Sequence, residues 1–350
     1  MSETPRPVRV VIASFLEPCH VDRIRAVNPR LQVVYEPHLL PPPRFAADHV
    51  GHPFERPEED EKRWTSLLAE AEILFDFDRS HLEDLPRRAP SLKWIQATSA
   101  GIGQLVAQHR YAERMPGTLF TTASGVHAIP LAEYAMMSIL MFRRRVPEML
   151  ADQRERRWEP FASTDVTERS LAIVGMGSIG REVARVASEF GMRTIGVKRT
   201  VAGVDPDALH LDVLCGLDEL HEALRGAEHV VLAVPHTPET EGMIGAGELA
   251  LLAPGAILVN VARGAVVDES ALVDALESGH LRGAALDVFQ EEPLAADSPF
   301  WAMPNVLVCA HSAGTSDREN KRITDIFCEN LRRYLAGEPL VNVLDTARMY

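Results

Sequence analysis

Three residues late in the chain stand where turns follow apolar strands: Arg263 after "AILVNVA", Glu292 after "AALDVFQE" and His311 after "NVLVCA". In a parallel sheet the turns just past strand C-termini gather at one edge, and ligands bind there. Three crossovers thus deliver a cation, a carboxylate and an imidazole to one place. That set suits hydride transfer between a nicotinamide and a carbonyl. The histidine gives or takes the oxygen's proton, and the carboxylate orients it. The arginine polarises the carbonyl and pairs with a carboxylate of the substrate. Taken singly, each also fits a charged surface position near a loop.

A second group lies in "LAIVGMGSIGREVARVASEFGMRTIGVKRT", residues 171–200, which reads strand, glycine loop, helix, strand. Gly175, Gly177 and Gly180 directly follow an apolar strand and open a helix, the context a dinucleotide site demands. The first glycine allows a tight turn, the second lets backbone approach a pyrophosphate, and the third permits close helix–strand packing. Amides near Ser178 and Ile179 would face the phosphates, assisted by the helix dipole. The second strand ends on Lys198, Arg199 and Thr200. A carboxylate there would accept from a ribose hydroxyl and repel a 2′-phosphate, whereas two cations and a hydroxyl attract one. The natural ligand is NADP(H), with NAD(H) the alternative if both cations are merely solvated.

The elements that must hold these residues form an α/β pattern. Apolar, β-branched runs at 8–14, 31–35, 72–77, 92–97 and 118–123 predict a first sheet. Runs at 171–174, 194–197, 229–234, 256–261, 283–288 and 306–309 predict a second. Residues 39–64 are rich in prolines and charges, and predict a surface loop leading into a helix near Glu58. Residues 127–146 predict one long helix linking the domains. Residues 316–344 predict an amphipathic helix closed by Gly337, followed by a short tail. The run Arg143–Arg144–Arg145 reads as a solvated helix end or a dimer contact. His127 and Glu133 read as structural residues of the linking helix, with His127 the next candidate base after His311.

The 350 residues suffice for two cores, and the net charge of −14 argues against non-specific nucleic-acid binding. No run approaches the ~20 apolar residues of a membrane span, and "MSETPRPVRVVIAS" lacks a signal peptide's apolar stretch, so a cytoplasmic location is expected. Cys19, Cys215, Cys309 and Cys328 are scattered without a CxxC pair, so no metal site is expected.

The segments "KWIQATSAGI", "GVHAIPLAEY", "LAIVGMGSIGREVARVASEFGM", "VPHTPETEGMIGAGELALLAPGAILVNVARGAVVDESAL", "GAALDVFQEEPL" and "SPFWAMPNVLVCAHSAG" resemble the D-isomer-specific 2-hydroxyacid dehydrogenase family. The resemblance implies that Arg263 binds substrate, that Glu292 partners the histidine and that His311 is the acid–base. It also implies that Asp287 holds the nicotinamide carboxamide. The amides of Ala100 and Gly101 would receive the substrate carboxylate, and Pro235, Thr240 and Ala262 would line the cofactor. Gly103–Gln104 and Ala310 depart from the usual pattern, and Lys198–Arg199 match the NADPH-preferring glyoxylate/hydroxypyruvate reductase branch.

The expected fold is α/β, with two Rossmann-like domains, parallel sheets and a cleft between them. A discontinuous substrate domain (1–122 and 314–350) encloses a dinucleotide-binding domain (123–313). The resemblance implies a homodimer packed through the cofactor domains. The expected activity is NADP(H)-dependent reduction of a small 2-oxo acid to a D-2-hydroxy acid. Alternatives are an NAD-dependent dehydrogenase of another 2-hydroxy acid, such as phosphoglycerate, and a nucleotide-sensing protein akin to the family's corepressors.

Overall fold

The computed structural model describes residues 6–349, and their contacts separate into two compact units. One comprises the chain up to Val126 and from Thr315 onward; the other is the contiguous stretch His127–Gly314.

The first unit is built on a parallel sheet of β1 (Val8–Ile12), β2 (Leu31–Val34), β3 (Ile73–Phe75), β4 (Trp94–Gln96) and β5 (Leu119–Thr121), in the order β2-β1-β3-β4-β5. Alternate residues of a strand face opposite sides. Val10 and Ile12 therefore join one core with Phe75 and Trp94, while Val11 and Ala13 join another with Leu74 and Ile95. Apolar residues on both faces are what a parallel sheet covered on both sides requires. The helix Glu319–Ala336 places Ile323, Phe327 and Leu331 on one stripe against this sheet. The Phe327 ring lies 5.1 Å from Phe75 and 5.2 Å from Trp94. Gly337 ends the helix in the left-handed region, φ +71°, where glycine carries no Cβ penalty.

The 39–64 segment is not simply a surface loop. Leu39, Leu40 and Trp64 are buried in the first unit's core, and the helix Glu58–Glu70 follows the prolines. Asp48 is buried as well. Burial opposes its charge, but Arg44 donates to it through Nε (2.7 Å), Nη2 (2.9 Å) and its backbone amide (2.9 Å), and these bonds hold the carboxyl well below the usual range. Apolar residues this sparse give no periodicity, so their anchoring role was invisible in the pattern.

The second unit carries β6 (Ser170–Val174), β7 (Arg193–Val197), β8 (Val213–Cys215), β9 (His229–Leu232), β10 (Ala256–Asn260), β11 (Leu281–Leu286) and β12 (Val306–Val308). All pair in parallel, in the order β12-β11-β10-β9-β6-β7-β8. This is the doubly wound nucleotide-binding order, with its reversal between β6 and β9. β8 was not expected; it is a short edge strand whose Val213 and Leu214 are only partly buried.

The expected long helix divides. Ala128–Arg143 ends at Arg144, Arg145 takes φ +61°, and Val146–Glu155 begins anew with Pro147 in its first turn, where proline is tolerated. The first of these helices does not link the units. It lies wholly in the second, packing Leu131, Ala135 and Ile139 with Val183 and Ala187. Arg143 is likewise not solvated: its Nε donates to His229 Nε2 (2.8 Å) and its Nη2 to the Glu228 carbonyl (3.0 Å). His229 Nδ1 lies 2.8 Å from the Ser170 carbonyl. Burial, reinforced by Arg143, lowers the His229 pKa to about 4. Among the described residues no helix is long and apolar enough to cross a membrane, and no cluster of His, Cys, Asp or Glu could hold a metal ion.

Candidate functional site

The glycine loop distributes its three glycines by need. Gly175 leaves β6 at φ +105°, and a Cβ there would stand 2.6 Å from the Ala233 carbonyl oxygen. A Cβ on Gly180 would meet the Gly175 carbonyl oxygen at 2.0 Å, so helix and loop pack backbone to backbone. Gly177 differs, because a Cβ there would meet nothing within 4 Å. It is the exposed N-cap of the helix Ser178–Glu189, which has no side-chain cap. The first amides of a helix have no acceptor within it, so those of Ser178 and Ile179 open onto this free space. Such a terminus fits a pyrophosphate.

Lys198, Arg199 and Thr200 follow β7, with Arg199 and Thr200 exposed. Arg199 acts on Glu239, in the turn after β9. That carboxyl is held below its usual range chiefly by Thr237, then by its own amide, with Arg199 adding to the effect. The sequence reading missed Glu239 because only the fold brings it near β7. In the same turn Thr240 is buried, and its hydroxyl donates to the Pro235 carbonyl (2.7 Å) and accepts from the Thr237 amide (2.9 Å). Thr240 therefore shapes the turn, while Pro235 is exposed on it.

Beyond β10, buried Asn260 ties the next turn: its Oδ1 accepts from the Ala262 amide (3.0 Å) and its Nδ2 donates to the Arg263 carbonyl (3.2 Å). A lone polar residue ending "AILVN" was the signal for it. Gly264 allows close approach, since a Cβ there would lie 1.8 Å from the Phe289 carbonyl carbon. Arg263 is thereby set near Glu292 and Asp287. Burial lowers its pKa, and those two carboxylates oppose the effect.

Glu292 Oε1 accepts from the Phe289 amide (3.0 Å), and its Oε2 lies 2.8 Å from His311 Nδ1. Two bare acceptors at that distance would repel, so Nδ1 carries a proton and Nε2 is the nitrogen left for other partners. The His311 side chain is 48% exposed. An exposed pair of this kind adds little stability; its consequence is the orientation of the ring. His311 itself adopts φ +49°. Asp287 secures that conformation: its carbonyl accepts from the His311 amide (2.9 Å), and its Oδ1 from the amides of Ser312 (2.8 Å) and Ala313 (2.9 Å). His127 packs against Gly314, where a Cβ would lie 3.3 Å from its ring, and Glu133 is exposed.

The second unit thus holds Arg263, Asp287, Glu292 and His311 together at one sheet edge, with the glycine loop at the carboxyl end of β6. Ala100 and Gly101 belong to the first unit, exposed after β4, and the Gly101 amide donates to Ser99 Oγ at 3.2 Å.

This arrangement is that of a dinucleotide-dependent oxidoreductase fold. The chain belongs to the D-isomer specific 2-hydroxyacid dehydrogenase family, whose NAD binding domain matches residues 136–313. It is 35% identical to a glyoxylate reductase from Korarchaeum cryptofilum, over 73% of this chain and 77% of that protein. It is 31% identical to a D-3-phosphoglycerate dehydrogenase from Methanocaldococcus jannaschii, over 75% of this chain and 49% of that protein. The chain thus spans about half the length of the phosphoglycerate dehydrogenases it matches. A family member from Xanthobacter autotrophicus Py2, solved with NADPH and MES, superposes with a TM-score of 0.76 at 31% identity, covering 99% of this chain and 100% of that one.

Proposed function

We propose that the chain interconverts small 2-oxo acids and D-2-hydroxy acids with NADP(H), acting on compounds like glyoxylate and hydroxypyruvate. The observation that carries this reading is the His311–Glu292 pair at 2.8 Å beside Arg263. The open face of Gly177 and the uncapped helix after it fit a pyrophosphate. Gly175, Ser178, Ile179 and Gly180 would form that cradle, Pro235, Thr240 and Ala262 the adjoining wall, and Asp287 would meet the carboxamide. Lys198, Arg199 and Thr200 would take the 2′-phosphate. The NADPH bound to the Xanthobacter relative supports that choice.

When bound, the dinucleotide supplies or accepts the hydride. Arg263 pairs with the substrate carboxylate and polarises its carbonyl, a role suited to a bidentate guanidinium. Only the family resemblance assigns the amides of Ala100 and Gly101, in the first unit, to a substrate carboxylate. His311 Nε2 gives its proton to the substrate oxygen in reduction and takes one in oxidation. Glu292 holds the ring by Nδ1 so that Nε2 faces the reaction.

The phosphoglycerate dehydrogenases among the relatives favour a second reading, NAD-linked oxidation of phosphoglycerate. NADPH and NADH oxidation by the purified chain, with glyoxylate, hydroxypyruvate and phosphohydroxypyruvate, decides between them. No turnover of any 2-oxo acid refutes both.

The chain would act as a homodimer. The helix Val146–Glu155 buries none of its residues, and Met149, Leu150 and Trp158 stand exposed. A hollow of about 520 Å³ beside it is lined by Met141, Pro147, Leu150 and Leu307.

A further inference from the structure

Two neighbouring amides in the loop after β11 are taken by two different carboxylates. The Phe289 amide donates to Glu292 Oε1 (3.0 Å), and Glu292 Oε2 meets His311 Nδ1. The next amide, that of Gln290, donates to Glu269 Oε1 at 2.7 Å. Glu269 opens the helix Glu269–Glu277, twenty-one residues back along the chain. The proposed chemistry gives it no part.

The peptide that joins Phe289 to Gln290 is held from several sides, all within the second unit. The Phe289 ring is buried, tilted against Phe300 at 6.0 Å. Gly264, next to Arg263, packs so close that a Cβ there would lie 1.8 Å from the Phe289 carbonyl carbon and 2.2 Å from the Gln290 nitrogen. The Gln290 side chain reaches back and donates Nε2 to the Val267 carbonyl (2.8 Å). Glu269 completes the clamp by accepting the N–H of that peptide. Glu292 lies two residues further on, so the plane of this peptide sets where its backbone starts and how its carboxylate stands against His311.

An acid in the first turn of a helix is ordinary, because the helix dipole favours it there. Glu269 differs from that case. Asp268 already caps this helix, its Oδ1 accepting from the amides of Ser270 (3.0 Å) and Ala271 (3.2 Å). Glu269 reaches across to another loop instead. It is half-buried; burial pushes its carboxyl above the usual range, and the Gln290 amide works against that. No cation offsets the burial among the described residues. A carboxylate kept in such a place is costly, and its bond fixes one peptide.

We propose that Glu269 is a positioning residue for the His311–Glu292 pair: by holding the Gln290 amide it fixes the loop that presents Glu292 to the imidazole. It acts through Glu292 and not on the substrate. This inference rests on the 2-oxo acid reading and adds a residue to its machinery.

Two substitutions separate reach from charge. Glu269→Asp keeps a charge at the helix start but is shorter by about 1.5 Å, which opens the 2.7 Å bond past hydrogen-bond length. Glu269→Gln gives up the charge and keeps an accepting oxygen at full reach. Steady-state kinetics with NADPH and either hydroxypyruvate or glyoxylate are measured on both, beside thermal melts. Glu269→Asp should lower kcat at least about fivefold while each KM moves less than about twofold, the mark of a misplaced reacting group. Glu269→Gln should keep kcat within about twofold of the wild type, since the bond survives. In a Glu292→Ala background Glu269→Asp should change kcat by less than about twofold, because residues acting through one another are not additive. If Glu269→Asp does not fold, Glu269→Ser carries the same expectations. A helix-start role alone gives the reverse pattern, with Glu269→Gln losing melting temperature and Glu269→Asp keeping full kcat, and overturns the inference. So do losses that add in the double variant, or a rise in the KM of the acid at unchanged kcat, which moves the effect to Arg263. Each of those results comes with a wild type that turns over and leaves the 2-oxo acid reading standing. A wild type that reduces neither acid overturns both.

Discussion

Gly177 separates the cost of a methyl group to the fold from its cost to a ligand. At Gly177→Ala the new Cβ meets no protein atom within 4 Å, and φ −77°, ψ −158° is open to alanine. Alanine caps a helix less well than glycine, by up to about 1 kcal/mol. It also restricts the unfolded chain, a gain of about 0.4–1 kcal/mol. These nearly cancel, so the melting temperature should move by less than about 3 °C. The methyl would nevertheless stand where a pyrophosphate must approach the amides of Ser178 and Ile179. Losing one charge-assisted hydrogen bond costs about 1.5–3 kcal/mol, or about 10- to 150-fold in Kd. Gly180→Ala is the contrast. Its Cβ would fall 2.0 Å from a backbone oxygen, so the loop must shift. Overpacking of that kind costs about 1–3 kcal/mol, a melting loss of about 2–12 °C. Titration calorimetry with NADP(H) and thermal melts on both variants measure the two effects. Wild-type NADP(H) affinity in Gly177→Ala would refute the assignment of this loop to phosphate.

NADPH should give a higher kcat/KM than NADH, and Arg199→Ala should narrow that gap by about 1–3 kcal/mol; equal efficiency of both cofactors in the unmodified chain would count against the 2′-phosphate role. His311→Ala should lower kcat by about 10²–10⁴ with NADPH affinity kept, whereas Glu292→Gln should lower it less because the ring keeps a hydrogen-bond partner; a His311→Ala protein with normal turnover would move the search to His127. His229 has a folded pKa of about 4 against 6.5, so its neutral form stabilises the fold above 6.5, and that stability is lost as pH falls through about 4. The loss is about 3 kcal/mol, and urea melts from pH 7 to 4 should show a flatter profile for His229→Gln. Leu150→Glu combined with Trp158→Glu should halve the mass measured in solution by light scattering, and an unchanged mass would place the dimer contact elsewhere.

What the sequence disclosed depended on how local each signal was. The buried strands were legible because both faces are apolar, which leaves continuous runs such as "AILVN" and "HVVL". Gly175, Gly177 and Gly180 were legible because a turn, an approach and a packing contact fall within six residues. β8 escaped because three residues at an edge, two of them only half-covered, give no pattern. The helix break at Arg145 escaped because Pro147 is as compatible with the first turn of a helix as with the end of one. The hold of Glu269 on the Gln290 amide escaped because the two lie twenty-one residues apart, and nothing in the neighbours of either marks the other. Arg143 looked solvated because its partners, His229 and the Glu228 carbonyl, are more than eighty residues away.

The discontinuity of the first unit also sets an order of assembly on the ribosome. Domains fold as units as the chain emerges, at about 5–20 residues per second. The stretch His127–Gly314 is contiguous, so its seven-stranded sheet can close as soon as β12 has cleared the exit tunnel. The first unit begins earlier and must finish later. Its core around Phe75 and Trp94 has a missing wall until Ile323, Phe327 and Leu331 arrive. Until then a nascent chain exposes the apolar face of a finished five-strand sequence, although the second unit's residues are already complete. The N-terminal segment is therefore the part that needs shelter during synthesis, and chains arrested before residue 319 should be the ones that chaperones hold.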